Sequence, residues 1–332
     1  MDSLHFTAQD HRMTQSNDEI IRYPQGIAAI DTGYVRPHLD ASHLIMEGDR
    51  AAFVDTGTAH SVPRLLAALD ALGVEREDVS YVLVTHVHLD HAGGAGALMR
   101  ELPRAKCVVH PRGARHLVDP DKLVAGTKAV YGEDEFDRLY GEVVPIPAER
   151  VIEVNDGDSL SLAGRTLEFI HTPGHALHHY CILDPEASVV FAGDTFGISY
   201  REFDSERGAF IFPATTPVHF DPDAAHDSID RIMDFGPEAI FLTHYSRVTD
   251  LDRLASDLHA ELDACVDIAT GCANAQDRIA CIADNLLEHL LERLEDHGCE
   301  LPRSEQERLL AMDVDLNAQG LVVWLNRLAR QG

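Results

Sequence analysis

The chain has no run of about 18 apolar residues, the length a membrane-spanning helix needs. The sequence therefore predicts no membrane partner. Basic residues are scarce: Lys and Arg total 27 against 56 Asp and Glu, a formal charge of −29. A field of that sign repels phosphate backbones and anionic surfaces. No local basic strip offsets it, so nucleic acid is excluded as a partner. The stretch from 251 to 332 has 16 acidic and 7 basic residues and no RNA-clamping arm.

Cysteine is sparse too. Cys107, Cys181, Cys265, Cys272, Cys281 and Cys299 are scattered, without a C-x-x-C pair. They read as buried free thiols of a cytoplasmic protein rather than as disulfides or a metal cluster. No G-x-S-x-G elbow is present, so the usual serine nucleophile is missing. The opening "MDSLHFTAQDHRMTQSNDEIIRYPQG" lacks the apolar core of a secretory signal and reads as a polar arm over 1–24.

What remains is ordinary globular material, 45% apolar over 332 residues. That suits one large domain, or one of about 250 residues with an appendage. Residues 25–55 carry short β-type runs, "GIAAIDTG", "SHLIMEG" and "AAFVDTG", which predict a meander. "SVPRLLAALDAL" has helical spacing, with Gly73 placed as a C-cap. Strand "DVSYVLVTH", helix "GALMRELP", strand "AKCVVH" and helix "RGARHLV" follow, then a helical excursion over 121–141 with a Gly interruption. Next come antiparallel-type strands, "RVIEVNDGDSLSLAGRTLEFIHTPG", "HHYCILD" and "SVVFAGD", with a tight turn at Asp156-Gly157. Residues 195–221 lack periodicity and carry five phenylalanines that suit either an apolar pocket wall or core. A helix near 222–235 and a strand "AIFLTH" close this part.

From about 250 the pattern is all helical. Ile279, Ile282, Leu286, Leu290 and Leu294 form a stripe, Ser304 and Glu307 fit a capping box, and a last helix is expected over 316–329. The organisation reads as an arm (1–24), a main domain (25–249) and a helical domain (250–332). Two sets of strands with helices, then a helical tail, predict sheets covered by helices with an α appendage. The tail is expected to cap the site or to form a homodimer interface.

One strand runs directly into ligand-type residues. "VLVTHVHLDHAGGAG" places His86, His88, Asp90 and His91 where an apolar strand stops. Residues two apart on extended backbone point the same way, so His86 and His88 can reach one ion. Asp90 and His91 lie past the turn and face a second. The small residues after them let a helix pack closely. Four ligands are too few for two ions. His175 in "HTPGH", Asp194 in "FAGDT" and His244 in "FLTHY" each stand where another β-run ends, the usual placing of active residues on a rigid scaffold.

This ordered set, together with "VDTG" at 54–57, resembles the metallo-β-lactamase superfamily over about residues 25–245. The resemblance implies a four-layer αββα sandwich, an α/β (α+β) fold, with metals between the two sheet edges. It implies His86, His88 and His175 on one ion, Asp90, His91 and His244 on the other, and Asp194 bridging. It implies two divalent metal ions: zinc first, with iron and manganese suited to the same donors. The chemistry implied is attack by a metal-bridging hydroxide, whose pKa falls to about 7 on binding. The substrate is then a small ester, thioester or lactone. Asp90 and Asp194 are the catalytic carboxylates. An aspartate at position 90 points away from antibiotic hydrolysis. The alternatives are a di-iron oxygen-binding or redox protein and a non-catalytic ligand-binding sensor. His88 in the middle slot and the lack of a flavodoxin-like domain weigh against the first.

Around this set, Asp55 and His179 are expected to orient ligands by hydrogen bonding. Tyr200, Arg201 and Tyr245 are candidates to bind a substrate carboxylate or an oxyanion. His110 is expected to cap a helix or hydrogen-bond near a strand end.

Overall fold

The computed structural model describes residues 20–215 and 219–331. Thirteen strands among the described residues form two sheets. The first holds β1 (Ile20–Tyr23), β2 (Ile27–Asp31), β3 (Ala41–Glu47), β4 (Arg50–Val54), β5 (Val79–Leu83), β6 (Lys106–Val109) and β7 (Val151–Glu153), in chain order across the sheet. The second runs β13 (Ser246–Val248), β12 (Ala239–Leu242), β11 (Val189–Gly193), β10 (Tyr180–Asp184), β9 (Arg165–His171) and β8 (Ser159–Leu162).

Side-chain alternation builds the layers. On β4, Ala51 and Phe53 face one core while Ala52 and Val54 face another. On β12, Ala239 and Phe241 share that second core with Ala52 and Val54, whereas Ile240 and Leu242 turn to a third. The shared core lies between the sheets. The other two lie under helices. α1 (Val62–Leu72), α3 (Ala95–Glu101) and α4 (Pro111–Val118) cover the first sheet, and α7 (Pro222–Asp234) covers the second. This is the expected αββα sandwich. α2 (Leu89–Ala92) is a single turn after β5, and α5 (Asp121–Tyr131) and α6 (Glu133–Leu139) form the excursion over 121–141, broken at Gly132.

The meander of residues 25–55 is present as β2, β3 and β4. It has a further strand: Ile20–Tyr23, assigned above to the arm, pairs with β2. The rest of that arm lies outside the described residues. Asp156-Gly157 does not close a hairpin. It joins β7 and β8, which lie in different sheets, because β7 pairs parallel with β6. The hairpin is one turn later, between β8 and β9, where Ala163 and Gly164 both take positive φ.

The helical tail is α8 (Leu251–Gly271), α9 (Arg278–His297) and α10 (Arg303–Gln331). On α9, Ile282, Leu286, Leu290 and Leu294 are buried, but Ile279, in the first turn, is 41% exposed. No capping box forms at Ser304. The helix starts one residue earlier, after Pro302, and Glu307 pairs with Arg303 at 2.9 Å. α10 then continues unbroken through Gly320, replacing the two helices expected there. Cys272 and Cys281 are not free thiols but a disulfide, because the short turn after α8 folds α9 back and brings their Cα atoms to 5.9 Å. Cys107, Cys181, Cys265 and Cys299 are free.

A buried charge pair braces the second sheet. Arg165 on β9 forks onto Asp184 on β10, with Nε–Oδ2 at 2.8 Å, and its remaining nitrogen donates to the Gln25 carbonyl at 2.6 Å. Both side chains are buried. Removing one partner leaves an uncompensated charge. Arg165→Met is expected to cost about 3–5 kcal/mol, read from the urea midpoint, and Arg165→Met/Asp184→Leu to recover most of it.

Candidate metal centre

Each predicted ligand stands just past a strand or on the turn that follows one. His86 and His88 follow β5, and Asp90 and His91 lie on α2. His175 follows β9, Asp194 follows β11 and His244 follows β12. Five of the seven are buried; His88 and Asp90 are half-buried and mark the open side. Their donor atoms fall into two groups, each within 4.8 Å: His86, His88, His175 and Asp194, then Asp90, His91 and His244.

The groups share one residue. Asp194 turns Oδ2 towards His175 Nε2 (3.4 Å) and His86 Nε2 (4.0 Å). It turns Oδ1 towards His91 Nε2 (3.2 Å) and His244 Nε2 (3.6 Å). Asp90 Oδ2 completes the second group, 3.6 Å from both His91 and His244. In the first group, His88 Nδ1 lies 2.8 Å from His86 Nε2 and 3.0 Å from His175 Nε2.

The outer ring nitrogens decide what these atoms can do. His175 Nδ1 donates to the Ala214 carbonyl (2.9 Å), His244 Nδ1 to the Leu39 carbonyl (3.1 Å) and His91 Nδ1 to Asp55 Oδ2 (2.8 Å). Each of those bonds puts the proton on Nδ1 and leaves a lone pair on Nε2. Those lone pairs converge on one another and on carboxylate oxygens. Buried His91 Nε2 and Asp194 Oδ1 face each other at 3.2 Å and have no other hydrogen-bond partner among the described residues. Crowded acceptors without donors repel unless cations lie among them, so the residues fit a metal pair.

The electrostatics separate the two groups: the rings of the first are held neutral, whereas the carboxylates of the second draw a proton onto its rings unless cations take that place. Burial, reinforced by neighbouring histidines, holds His86 well below the imidazole range and takes His88 down to about 3. Both therefore present neutral rings. Burial also opposes charge on His244, but Asp194 and Asp90 outweigh it and raise the ring to about 10. Burial would raise Asp90; His91 and His244 reverse this and lower it to about 2.

Asp55 is fully buried and gathers the surroundings. It accepts from the Thr85 backbone N–H (2.8 Å), the Thr85 hydroxyl, His91 and the Thr243 hydroxyl (2.8 Å). It does so from φ +56, a left-handed conformation that Asp tolerates better than most residues. His179 lies behind Asp194: its Nε2 accepts the Asp194 N–H at 3.2 Å, and Thr172 and Thr195 hydroxyls hold its Nδ1. Gly193 has to be glycine here, because a Cβ would meet His179 Nε2 at 2.6 Å and Thr85 Oγ1 at 2.7 Å. Downstream of His91, a Cβ on Gly96 would fall 1.8 Å from the Val144 carbonyl, so the small residues do serve close packing.

A model of the metallo-β-lactamase superfamily matches residues 37–244. The chain belongs to the metallo-β-lactamase superfamily. It is 27% identical over 225 residues to the metallo-β-lactamase fold-containing protein ST1585 of Sulfurisphaera tokodaii, covering 66% of this chain and 78% of that one. It is 31% identical over 153 residues to a hydroxyacylglutathione hydrolase of Aeromonas hydrophila (46% and 44% covered). With an atrochrysone carboxyl ACP thioesterase of Aspergillus fumigatus it shares 29% over 155 residues (46% and 39%). It thus spans less than half the length of these two enzymes. In solved structures the fold recurs in ST1585 (TM-score 0.63, 21% identity, 90% and 99% covered). It also recurs in a metallo-β-lactamase family protein of Thermus thermophilus (TM-score 0.61, 21% identity, 93% and 91% covered).

Within this superfamily domain the substrate candidates separate. Tyr200 is fully buried and its hydroxyl donates to Asp313 on α10 at 2.9 Å, so it cannot meet a substrate. Arg201 spends its guanidinium on the Ser199 carbonyl, at 2.7 and 3.2 Å. Tyr245 is buried, its ring 5.1 Å from His38. The five phenylalanines at 196, 203, 210, 212 and 220 are core beneath the tail. His110 caps α4, accepting the Arg112 N–H.

Thr85 and Thr243 escaped the sequence reading. A signal existed: each precedes a ligand histidine at a strand end, in "VTHVH" and "LTHY". Tyr34 and Tyr140 were also missed. Their hydroxyls meet at 3.2 Å, and after burial the Asp90 charge helps keep both phenols protonated.

Asp194→Ala is expected to lose at least one of two ions by elemental analysis, since both groups lean on it. Asp55→Ala is expected to weaken metal binding about 10–100-fold while leaving all seven ligands in place. Unchanged metal content in Asp194→Ala would refute the bridge.

Proposed function

We propose that the chain is a two-metal hydrolase of a small ester, thioester or lactone, with thioesters favoured. The observation that carries this is Asp194, one oxygen to each ligand group, beside a buried His91 nitrogen that has no other hydrogen-bond partner among the described residues. His86, His88 and His175 would hold one ion, Asp90, His91 and His244 the other, and Asp194 both. Zinc suits these nitrogen and oxygen donors, as do iron and manganese. When bound, the ions supply a hydroxide near neutral pH and polarise the substrate's oxygen.

The chain's own groups do the rest. Asp90 is the most open of the carboxylates, 24% exposed against 6% for Asp194, and faces the side from which substrate arrives. We assign it the proton released during turnover. Asp55 and the Leu39 and Ala214 carbonyls fix the ring orientations. The Tyr34 side chain, its hydroxyl donating to Tyr140, lines a cavity of about 270 Å³ with Thr58, His60, Arg64 and Arg138. That cavity is our candidate seat for the non-reacting end of a small-molecule substrate. Two relatives support a thioester: one is a named ACP thioesterase, the other a hydrolase of an acylated glutathione.

Zinc-, iron- and manganese-loaded protein, assayed on acyl-glutathione, acyl-pantetheine and lactone panels, is expected to hydrolyse a thioester. Chelation should abolish the activity, and Asp90→Asn should lower kcat by about 10²–10⁴. Metal-replete protein that hydrolyses none of these but consumes oxygen would replace this reading with the redox one. Tyr34→Phe is expected to raise KM more than it lowers kcat.

A further inference from the structure

The helical tail reaches the metal centre through one side chain. Asn317 lies on α10, 3% exposed, against the segment Pro213–Thr215. Its Oδ1 accepts the Thr215 backbone N–H at 2.7 Å, and its Nδ2 donates to the Pro213 carbonyl at 2.9 Å. The Thr215 hydroxyl adds a bond to the Asn317 backbone carbonyl at 3.2 Å. The residue gripped on both sides is Ala214. Its carbonyl accepts from His175 Nδ1 at 2.9 Å, the bond that puts the His175 lone pair on Nε2. Thr215, Ala214 and His175 are all buried, so solvent does not readily replace these bonds.

We infer that Asn317 is a positioning residue for the ion held by His86, His88 and His175, and that α10 is thereby part of the metal centre. The physical reason is the amide. A carboxamide offers a donor and an acceptor at fixed spacing, which this segment uses to set the Ala214 carbonyl between them. A leucine of similar size would leave the Thr215 N–H and the Pro213 carbonyl buried without partners. An aspartate would keep the first bond and set an acceptor against the second. Groups that orient a ligating histidine typically govern about 10–100-fold in metal affinity. The grip acts on His175 alone among the ligands. The second group, Asp90, His91 and His244, is oriented by Asp55 and Leu39 instead.

The inference rests on the metal-centre reading, and the test separates the two. Full-length wild type, Asn317→Ala and Asn317→Asp are titrated with Zn²⁺ and with Co²⁺, following stoichiometry, stepwise affinity and the cobalt visible spectrum. Leu321→Ala, one turn on and fully buried, serves as a control that weakens the tail's packing without removing a hydrogen bond to residues 213–215. The expected result is two ions in wild type, with one of the two affinities weakened about 10–100-fold in both Asn317 variants and its cobalt spectrum altered. Leu321→Ala should lower Tm yet keep both affinities. Should Asn317→Ala fail to fold, Asn317→Asp carries the same comparison. Asn317 variants that bind both ions like wild type would overturn the positioning role. So would a Leu321→Ala variant that loses the same ion to the same extent, since that would mean general tail stability is at work. A wild type that binds no metal would overturn the centre itself.

Discussion

One buried carboxylate holds the two halves of the sandwich in register at the metal centre. Asp55 leaves β4 in a left-handed conformation and receives Thr85 from the end of β5, His91 from α2 and Thr243 from the end of β12. Asp55 and Thr85 stand at strand ends of one sheet, His91 on the turn that follows, and Thr243 at a strand end of the other sheet. A polar group buried this deeply is tolerated when its lone pairs are used, and here four donors use them. The ligands can converge because this knot sets where the strand ends stop.

The same economy recurs around the histidines. Three ring protons go to fixed acceptors: Asp55, the Leu39 carbonyl and the Ala214 carbonyl. Each acceptor comes from a different loop, and each loop is anchored differently. Asp55 is locked by threonines, Leu39 lies beside β3, and Ala214 is gripped by Asn317 from the tail. The proposed metal centre thus draws on the sandwich and on the appendage together. The buried pair of Tyr200 and Asp313 is a second point at which α10 meets the chain between Asp194 and His244. Removing the tail therefore amounts to more than removing a cover.

Much of this was written in local sequence. Apolar runs that stop at His86, Asp194 and His244 showed both the strands and the ligand positions, because a ligand has to sit where a rigid strand ends. Alternation along β4 and β12 placed residues in distinct cores, and Gly96 had no room for a side chain. "T-H" at two strand ends was equally visible, and its meaning was not. A threonine before a histidine becomes informative only once both hydroxyls are seen to reach the same carboxylate from different sheets.

What tertiary structure alone decided involves partners far apart in the chain. Tyr200 looked like a substrate group until Asp313, 113 residues on, claimed its hydroxyl. The turn at Asp156-Gly157 looked like a link between antiparallel strands until β7 paired in parallel with β6 and left β8 to the other sheet. The Cys272–Cys281 bond depends on how α9 folds back on α8, which a nine-residue spacing does not encode. By itself the sequence determined which ligand-type residues stand at the strand ends, the layered fold and the helical tail, because periodicity and strand ends are local properties. Which polar groups remain free for substrate, and which helix orients His175, follow from packing between distant segments, where burial leaves each donor a single acceptor within reach.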